Sequence, residues 1–261
     1  TMDGTASLTF PLSTYQEEGR MQSEAATDKN VYRDGGIVRT DPSKKNISLV
    51  FTAHNRADGA EKIISTLKKY GVKGSFFFTG TFIEMYPDVV KRLRADGHYI
   101  STHSNGHLLY MPWENKDSLL VSKDEFVADI QKGFEALRSM GISKSEAPYF
   151  IPPYEYYNST VASWAKEMGL QVINFTPGTG TSDDYTTPDM PKYRSSKQLW
   201  NQLMKCERKE TLNGQILMVH FGTEPSRTDK FYDMLPKLIS TLKKKGYNFT
   251  SVDEAIGLNI K

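Results

Sequence analysis

In Tyr99-Ile100-Ser101-Thr102-His103-Ser104-Asn105-Gly106-His107 a short apolar run leads directly into two histidines four residues apart. Imidazoles at that spacing can aim their ring nitrogens at one point, on a helix or in a tight turn. Neutral imidazole is also the most versatile protein ligand for Zn²⁺ and similar ions. A lone pair of this kind is as often an ordinary surface pair, so the surrounding pattern has to decide. The chain holds five histidines, and His54, His103, His107 and His220 all fall at or just after the ends of strand-like segments.

Working outward from that stretch, strand-like and helix-like segments alternate. Strands are expected at about 47–52, 73–79, 98–101, 149–151, 170–175, 215–219 and 247–250. Helices are expected at about 58–70, 82–95, 122–140, 160–168, 196–209 and 231–245. Ser122 with Glu125 has the capping-box spacing, and Gly71 and Gly246 read as helix stops. Strands separated by helices of this length form βα units around a parallel sheet. Seven strands are one short of a complete (β/α)₈ barrel, so the fold class is α/β, an incomplete (β/α)₇ barrel. The histidines lie at strand C-termini, the end where barrel active sites sit.

Residues 1–45 are polar and irregular, with a turn signal at Asp34-Gly35-Gly36. They are expected to be an N-terminal extension or a linker from an upstream domain, with the catalytic domain over 46–261. A length of 261 residues suits one large domain, and 38% hydrophobic residues suffice for a core. The net charge of +2 leaves no nucleic-acid footprint and no polybasic membrane patch. With Cys206 alone, an internal disulfide and thiolate metal clusters are excluded. No apolar run is long enough to span a membrane. The first residues show no export signal, which is expected to have been removed or never present.

Five segments, in order, resemble the polysaccharide deacetylases of the NodB-homology type, carbohydrate esterase family 4. His103-Ser104-Asn105-Gly106-His107 looks like the family's His-Ser/Thr-x-x-His metal motif. The triple phenylalanine of residues 73–79 looks like its "TFF" strand. Ile151-Pro152-Pro153-Tyr154-Glu155 looks like "RPPYG", Leu217-Met218-Val219-His220 like "Leu-x-His", and Lys245-Gly246-Tyr247-Asn248-Phe249 like the terminal "kGY.f" strand. The likeness covers about residues 46–257. It implies the NodB-type barrel and a metal-dependent hydrolase that removes N- or O-acetyl groups from a carbohydrate. One divalent ion, zinc first and cobalt, nickel or manganese next, would be held by His103 and His107, with His220 as the acid that protonates the leaving group.

The first family motif, "TFDDG", is changed. Position for position, its base and metal-binding aspartates are Thr52 and Ala53 here, and Asp-Gly recurs only at Asp58-Gly59. The Arg of "RPPYG" is Ile151 and its Gly is Glu155. Loss of the base together with the arginine that orients it is consistent, because that arginine would otherwise be a stranded charge beside a cation. Asp58 is the candidate third, oxygen ligand, with His54 as competitor or fourth ligand. Glu155 or Asp58 is the candidate base. Asp184 lies where the family carries an aspartate tuning the acid histidine, and is counted with the substrate side of the site. Tyr110, Trp113 and Tyr154, with Tyr156 and Tyr157 nearby, follow the ligand loops and suit stacking on sugar rings. Arg227 and Asp229 read as a surface pair, and His98 as a turn residue.

The competing reading is a carbohydrate-binding pseudo-enzyme that lost its chemistry with the strand aspartates. The expected partner is a carbohydrate, with no nucleic acid and no membrane span. The family's polymeric substrates imply a periplasmic or secreted protein.

Overall fold

The computed structural model describes residues 28–258. All seven expected strands form. They are β3 (Asn46–Ala53), β4 (Ser75–Phe78), β5 (Tyr99–Thr102), β6 (Tyr149–Phe150), β7 (Gln171–Val172), β8 (Gln215–His220) and β9 (Asn248–Phe249). Two earlier strands, β1 (Val31–Arg33) and β2 (Gly36–Arg39), make a hairpin in the segment read from sequence as irregular. Its tip is Asp34-Gly35, both with positive φ (50° and 83°), the conformation an Asp-Gly hairpin turn requires.

The sheet order is β1-β2-β8-β3-β4-β5-β6-β7. Pairing is parallel from β8 through β7, whereas β2 runs antiparallel to β8. Ile37 of β2 also bridges Ile173, just past β7. The gap between the first and last parallel strands is therefore bridged by the N-terminal hairpin. The seventh expected strand, β9, does not extend the wall; it pairs only with Asn46 and Ile47 at the start of β3.

Strand alternation divides the core. In β4, Phe76 and Phe78 face outward and pack with Phe51, Phe82 and Phe221 beneath the helices. Phe77 faces inward, joining Val50, Ile151, Ile173 and Met218. Each such phenylalanine contributes roughly 1.5–3 kcal/mol by burial.

The helices are α1 (Ala60–Tyr70), α2 (Gly80–Met85), α3 (Pro87–Ala95), α4 (Lys123–Ser139), α5 (Ser159–Glu167), α6 (Ser196–Glu210), α7 (Leu235–Lys244) and α8 (Val252–Ile256). Helix α4 begins as expected, with the Ser122 hydroxyl accepting from the Glu125 N–H. The single helix expected over 82–95 is broken in two. Pro87 bars its predecessor from the helical region, and Tyr86 sits at φ −131°, ψ 54°.

Candidate active site

Parallel register sets the strand ends level. Thr52 pairs with His220, Ala53 with Phe78, Phe78 with Thr102, and Thr102 with Phe150. The residues immediately beyond, His54, Thr79, His103 and Ile151, therefore share one rim with His220. That rim opens into a cleft of roughly 730 Å³ lined by His54, His103, His107, Trp113, Tyr154, Glu155, Tyr185 and His220.

The loop carrying the histidine pair is held by α4 and by the start of α2. The Asp129 carboxylate of α4 accepts the Asn105 and Gly106 N–H groups, both at 3.0 Å. Gly80 N–H donates to the Ser104 carbonyl at 3.0 Å, and the Thr81 hydroxyl to the Asn105 carbonyl at 3.0 Å. Gly133, one turn beyond Asp129, lets α4 approach; a Cβ there would lie 2.8 Å from the Thr102 hydroxyl and 3.2 Å from the Ser104 carbonyl. Ser104 and His107 take positive φ (74° and 56°), so the loop is wound tightly enough to turn both rings into the cleft.

His103 is buried, and its Nδ1–H donates to the Ile151 carbonyl at 2.5 Å. That bond fixes the tautomer and leaves the Nε2 lone pair facing the cleft. The His54 Nδ1 lies 3.0 Å from the Thr79 hydroxyl. With the hydroxyl's own proton directed to the His54 carbonyl at 3.2 Å, Nδ1 is the donor and Nε2 is again free. The His107 ring stacks on His54 with centroids 4.8 Å apart and meets His103 edge-on at 4.9 Å. Burial pushes His103 down to about 3 and His107 to about 2, the latter aided by His103 itself, and burial also lowers His54. All three are neutral imidazoles near pH 7, the form that binds metals.

Across the cleft, Asp184 is buried. One of its oxygens accepts the His220 backbone N–H at 2.8 Å, and the other is bonded to His220 Nδ1. Burial opposes charging of this ring, but the Asp184 carboxylate outweighs it and pushes His220 up to about 9. His220 is therefore an imidazolium at neutral pH, with its Nδ1 side engaged by Asp184.

Glu155 projects between the two groups, 13% exposed, with Oε1 3.8 Å from His103 Nε2 and Thr52 beside it in the cleft lining. Burial raises its carboxyl to about 7 against the attraction of His220.

Not every expected residue reaches the cleft. Asp58 does not: its oxygens accept from the Thr223 N–H and the Tyr232 hydroxyl, both at 2.9 Å, and Lys230 stands 3.4 Å away. The inserted residues carry this carboxylate past the rim, where it braces the segment after β8. Tyr110 is buried against Phe126 and presents no face to a substrate. Asp184 touches His220 rather than the open cleft. Arg227 is fully buried and donates to the Thr186 and Arg194 carbonyls, while Asp229 accepts the Ser196 N–H, so the two do not form a surface pair. His98 is buried and accepts the Gly74 N–H.

Trp113, 60% exposed, stacks on Tyr156 at 5.0 Å and meets Tyr154 edge-on at 5.5 Å. The Tyr156 hydroxyl donates to the Pro112 carbonyl at 3.0 Å and pins this aromatic wall. Sequence reasoning missed Thr79 and Asp129, which support the histidines. It also missed Tyr185, whose ring lies 5.5 Å from His220, and Lys192, whose Nζ lies 2.5 Å from the Tyr185 hydroxyl. The adjacency of Tyr185 to Asp184 was the one available signal among these.

The sequence profile of the polysaccharide deacetylases matches residues 39–173. The chain belongs to this family. A peptidoglycan-N-acetylglucosamine deacetylase of Bacillus cereus is 27% identical over 215 residues, 80% of this chain and 68% of that one. The peptidoglycan-N-acetylmuramic acid deacetylase PdaA of Bacillus subtilis is 24% identical over 211 residues, 81% and 71% of the two chains. Among solved structures, a peptidoglycan N-acetylglucosamine deacetylase superposes with a TM-score of 0.70 at 22% identity, covering 86% of this chain and 94% of the other. A carbohydrate esterase family 4 pseudoenzyme from Bacillus anthracis gives 0.68 at 21% identity, covering 86% and 70%. These two structural likenesses establish the NodB-type fold, and the family membership rests on the profile.

Proposed function

We propose that this protein is a divalent-metal-dependent deacetylase that hydrolyses acetyl groups on an amino-sugar polymer of the peptidoglycan type, outside the cytoplasm. The observation that carries this reading is the pairing, on one rim, of three neutral imidazoles with a charged His220–Asp184 pair facing them. A merely structural cluster has no use for opposite protonation states across a cleft. The named relatives supply the substrate class.

Among the described residues, no three His, Cys, Asp or Glu side chains are gathered tightly enough to hold an ion as they stand. The donor chemistry fits one. His54 and His103 each have Nδ1 engaged and Nε2 free. The His107 ring lies between the other two, with centroids 4.8 Å from His54 and 4.9 Å from His103, so the three imidazoles are already neighbours. His103, His107 and His54 are the residues that would hold the ion, His54 replacing the carboxylate lost at Ala53. When bound, such an ion polarises an acetyl carbonyl and lowers the pKa of water.

The chain's own groups do the rest. Trp113 and Tyr154 offer apolar faces to a sugar ring and orient it. The His220 imidazolium holds a proton for the departing amine or alcohol, and Asp184 holds the ring in place. Deacetylation of an N-acetyl sugar consumes one water, breaks the C–N bond and yields a free amine and acetate.

The pseudo-enzyme reading draws on Thr52 and Ala53 at the two aspartate positions. It is opposed by the intact acid pair, which a binder does not need. The test is acetate release from acetylated amino-sugar oligomers together with elemental analysis. We expect turnover with about one divalent ion per chain, both lost in His103→Ala/His107→Ala. Sugar binding without acetate release would leave the pseudo-enzyme.

A further inference from the structure

We propose that Glu155 is the general base of the hydrolysis, the catalytic carboxylate having moved from the end of β3 to the turn after β6. This rests on the deacetylase reading and adds which residue activates water. The strand that ends at Ala53 has no acid left to do so.

Glu155 shares the cleft with Thr52 and Ala53, the strand positions without an acid. Its side chain lines the cleft together with Thr52, at the end of β3, and stands 3.8 Å from His103 Nε2. The other carboxylates near the cleft are engaged. Glu224 is bound to Arg56 at 2.9 Å, Asp184 to His220, and Asp58 to Thr223, Tyr232 and Lys230. Among the described residues, Glu155 is the carboxylate that faces the open cleft beside the histidines.

The backbone supplies an independent argument. Tyr154 and Glu155 both lie in the left-handed region, at φ 60° and 53°, where a side chain is disfavoured and glycine is at ease. The strained turn is fixed by Glu155 N–H donating to the Pro152 carbonyl at 2.9 Å and by the Asn174 side chain donating to the Glu155 carbonyl at 3.0 Å. A glutamate held there against both strain and burial is a residue kept for what its side chain does.

In the step assigned to it, the Glu155 carboxylate takes one proton from water as the water oxygen bonds to the acetyl carbon. The C–N bond then breaks, and its electron pair takes the proton held by His220. Acetic acid leaves and ionises to acetate. Glu155 passes its proton to solvent and His220 regains one, so both groups return to their starting state.

The test is a carboxylate relocation in the metal-loaded full chain. Glu155→Gln should lower kcat by about 10²–10⁴-fold with the ion content per chain unchanged. Glu155→Gly should abolish turnover yet raise the melting temperature, by about 2–4 °C. Adding Thr52→Asp to Glu155→Gly should restore at least about tenfold of the lost rate by returning an acid to the strand end. Parental kcat in Glu155→Gln overturns the proposal. Loss of the ion in that variant also overturns it, by making Glu155 a ligand. A Glu155→Gly chain less stable than the parent removes the backbone argument. A parent that releases no acetate brings down the deacetylase reading itself, whereas an active parent with an indifferent Glu155→Gln brings down this inference alone.

Discussion

Replacing Asp184 by asparagine isolates the group that keeps His220 charged. Asparagine preserves the shape and still accepts the His220 backbone N–H, now 2.8 Å from Asp184 Oδ2, but it removes the negative charge beside Nδ1. Burial would then be opposed only by the Glu155 and Asp183 charges, so the ring falls from about 9 toward its usual value. At pH 7.5 a ring of pKa about 9 is roughly 97% protonated, and one of 6.5 roughly 9%. Loss of the proton alone therefore costs about tenfold in rate. Loss of the orienting carboxylate brings the expected drop in kcat to about 10²–10⁴-fold. The same substitution has a stability signature. The folded pKa lies above the unfolded value near 6.5, so the interaction stabilises fully below pH 6.5 and is lost as pH rises toward 9. It is worth about 2–3 kcal/mol at neutral pH, an upper figure because the His220 side chain is 19% exposed. Chelator-treated wild type should therefore lose about 4–12 °C of melting temperature between pH 6.5 and 9.5, and Asp184→Asn should flatten that slope. The assays are acetate release across pH and thermal melts across pH. Wild-type kcat at pH 7.5 in Asp184→Asn, or an unchanged slope, refutes the assignment.

Three further substitutions test the surroundings of the site. Trp113→Ala should raise KM for oligosaccharide about 2–10-fold, the loss of one stacking contact, with kcat within about twofold and stability nearly unchanged because the ring is already exposed. Asp129→Ala, which leaves the Asn105 and Gly106 N–H groups without their acceptor, should weaken metal affinity about 10–100-fold in a chelator competition; Gly133→Ala should do the same, although alanine favours a helix by about 1 kcal/mol.

Local chemistry was legible in the sequence, and the destinations of side chains were not. Ser122 with Glu125, and Gly71 with its left-handed backbone, bounded α4 and α1 because caps act within a few residues. Strand ends placed His54, His103 and His220 on one rim because a parallel sheet carries its register across neighbours. Asp58 was misplaced because the path of the inserted residues decides where its carboxylate lands, and its partners Thr223 and Tyr232 lie more than 160 positions away. Tyr110 shows the same limit, since exposure of an aromatic depends on what folds over it. The break at Pro87 was local and readable, and the apolar spacing of the segment concealed it.

The strand closing the seam comes from the far side of the family's sequence boundary. The profile begins at residue 39, where β2 ends, so a clone cut to that boundary would keep Arg39, the partner of Gln215 in β8, but discard the residues that cap the end of β7. Ile37 and Val38 accept bonds from Asn174 and Thr176, at the head of the segment leading to Asp184. Stripped of them, the sheet would present a raw border at β7 open to any passing chain. The stretch that bears the acid's partner would also lose its mooring. Residues outside the hallmark region thus act as the clasp of the ring.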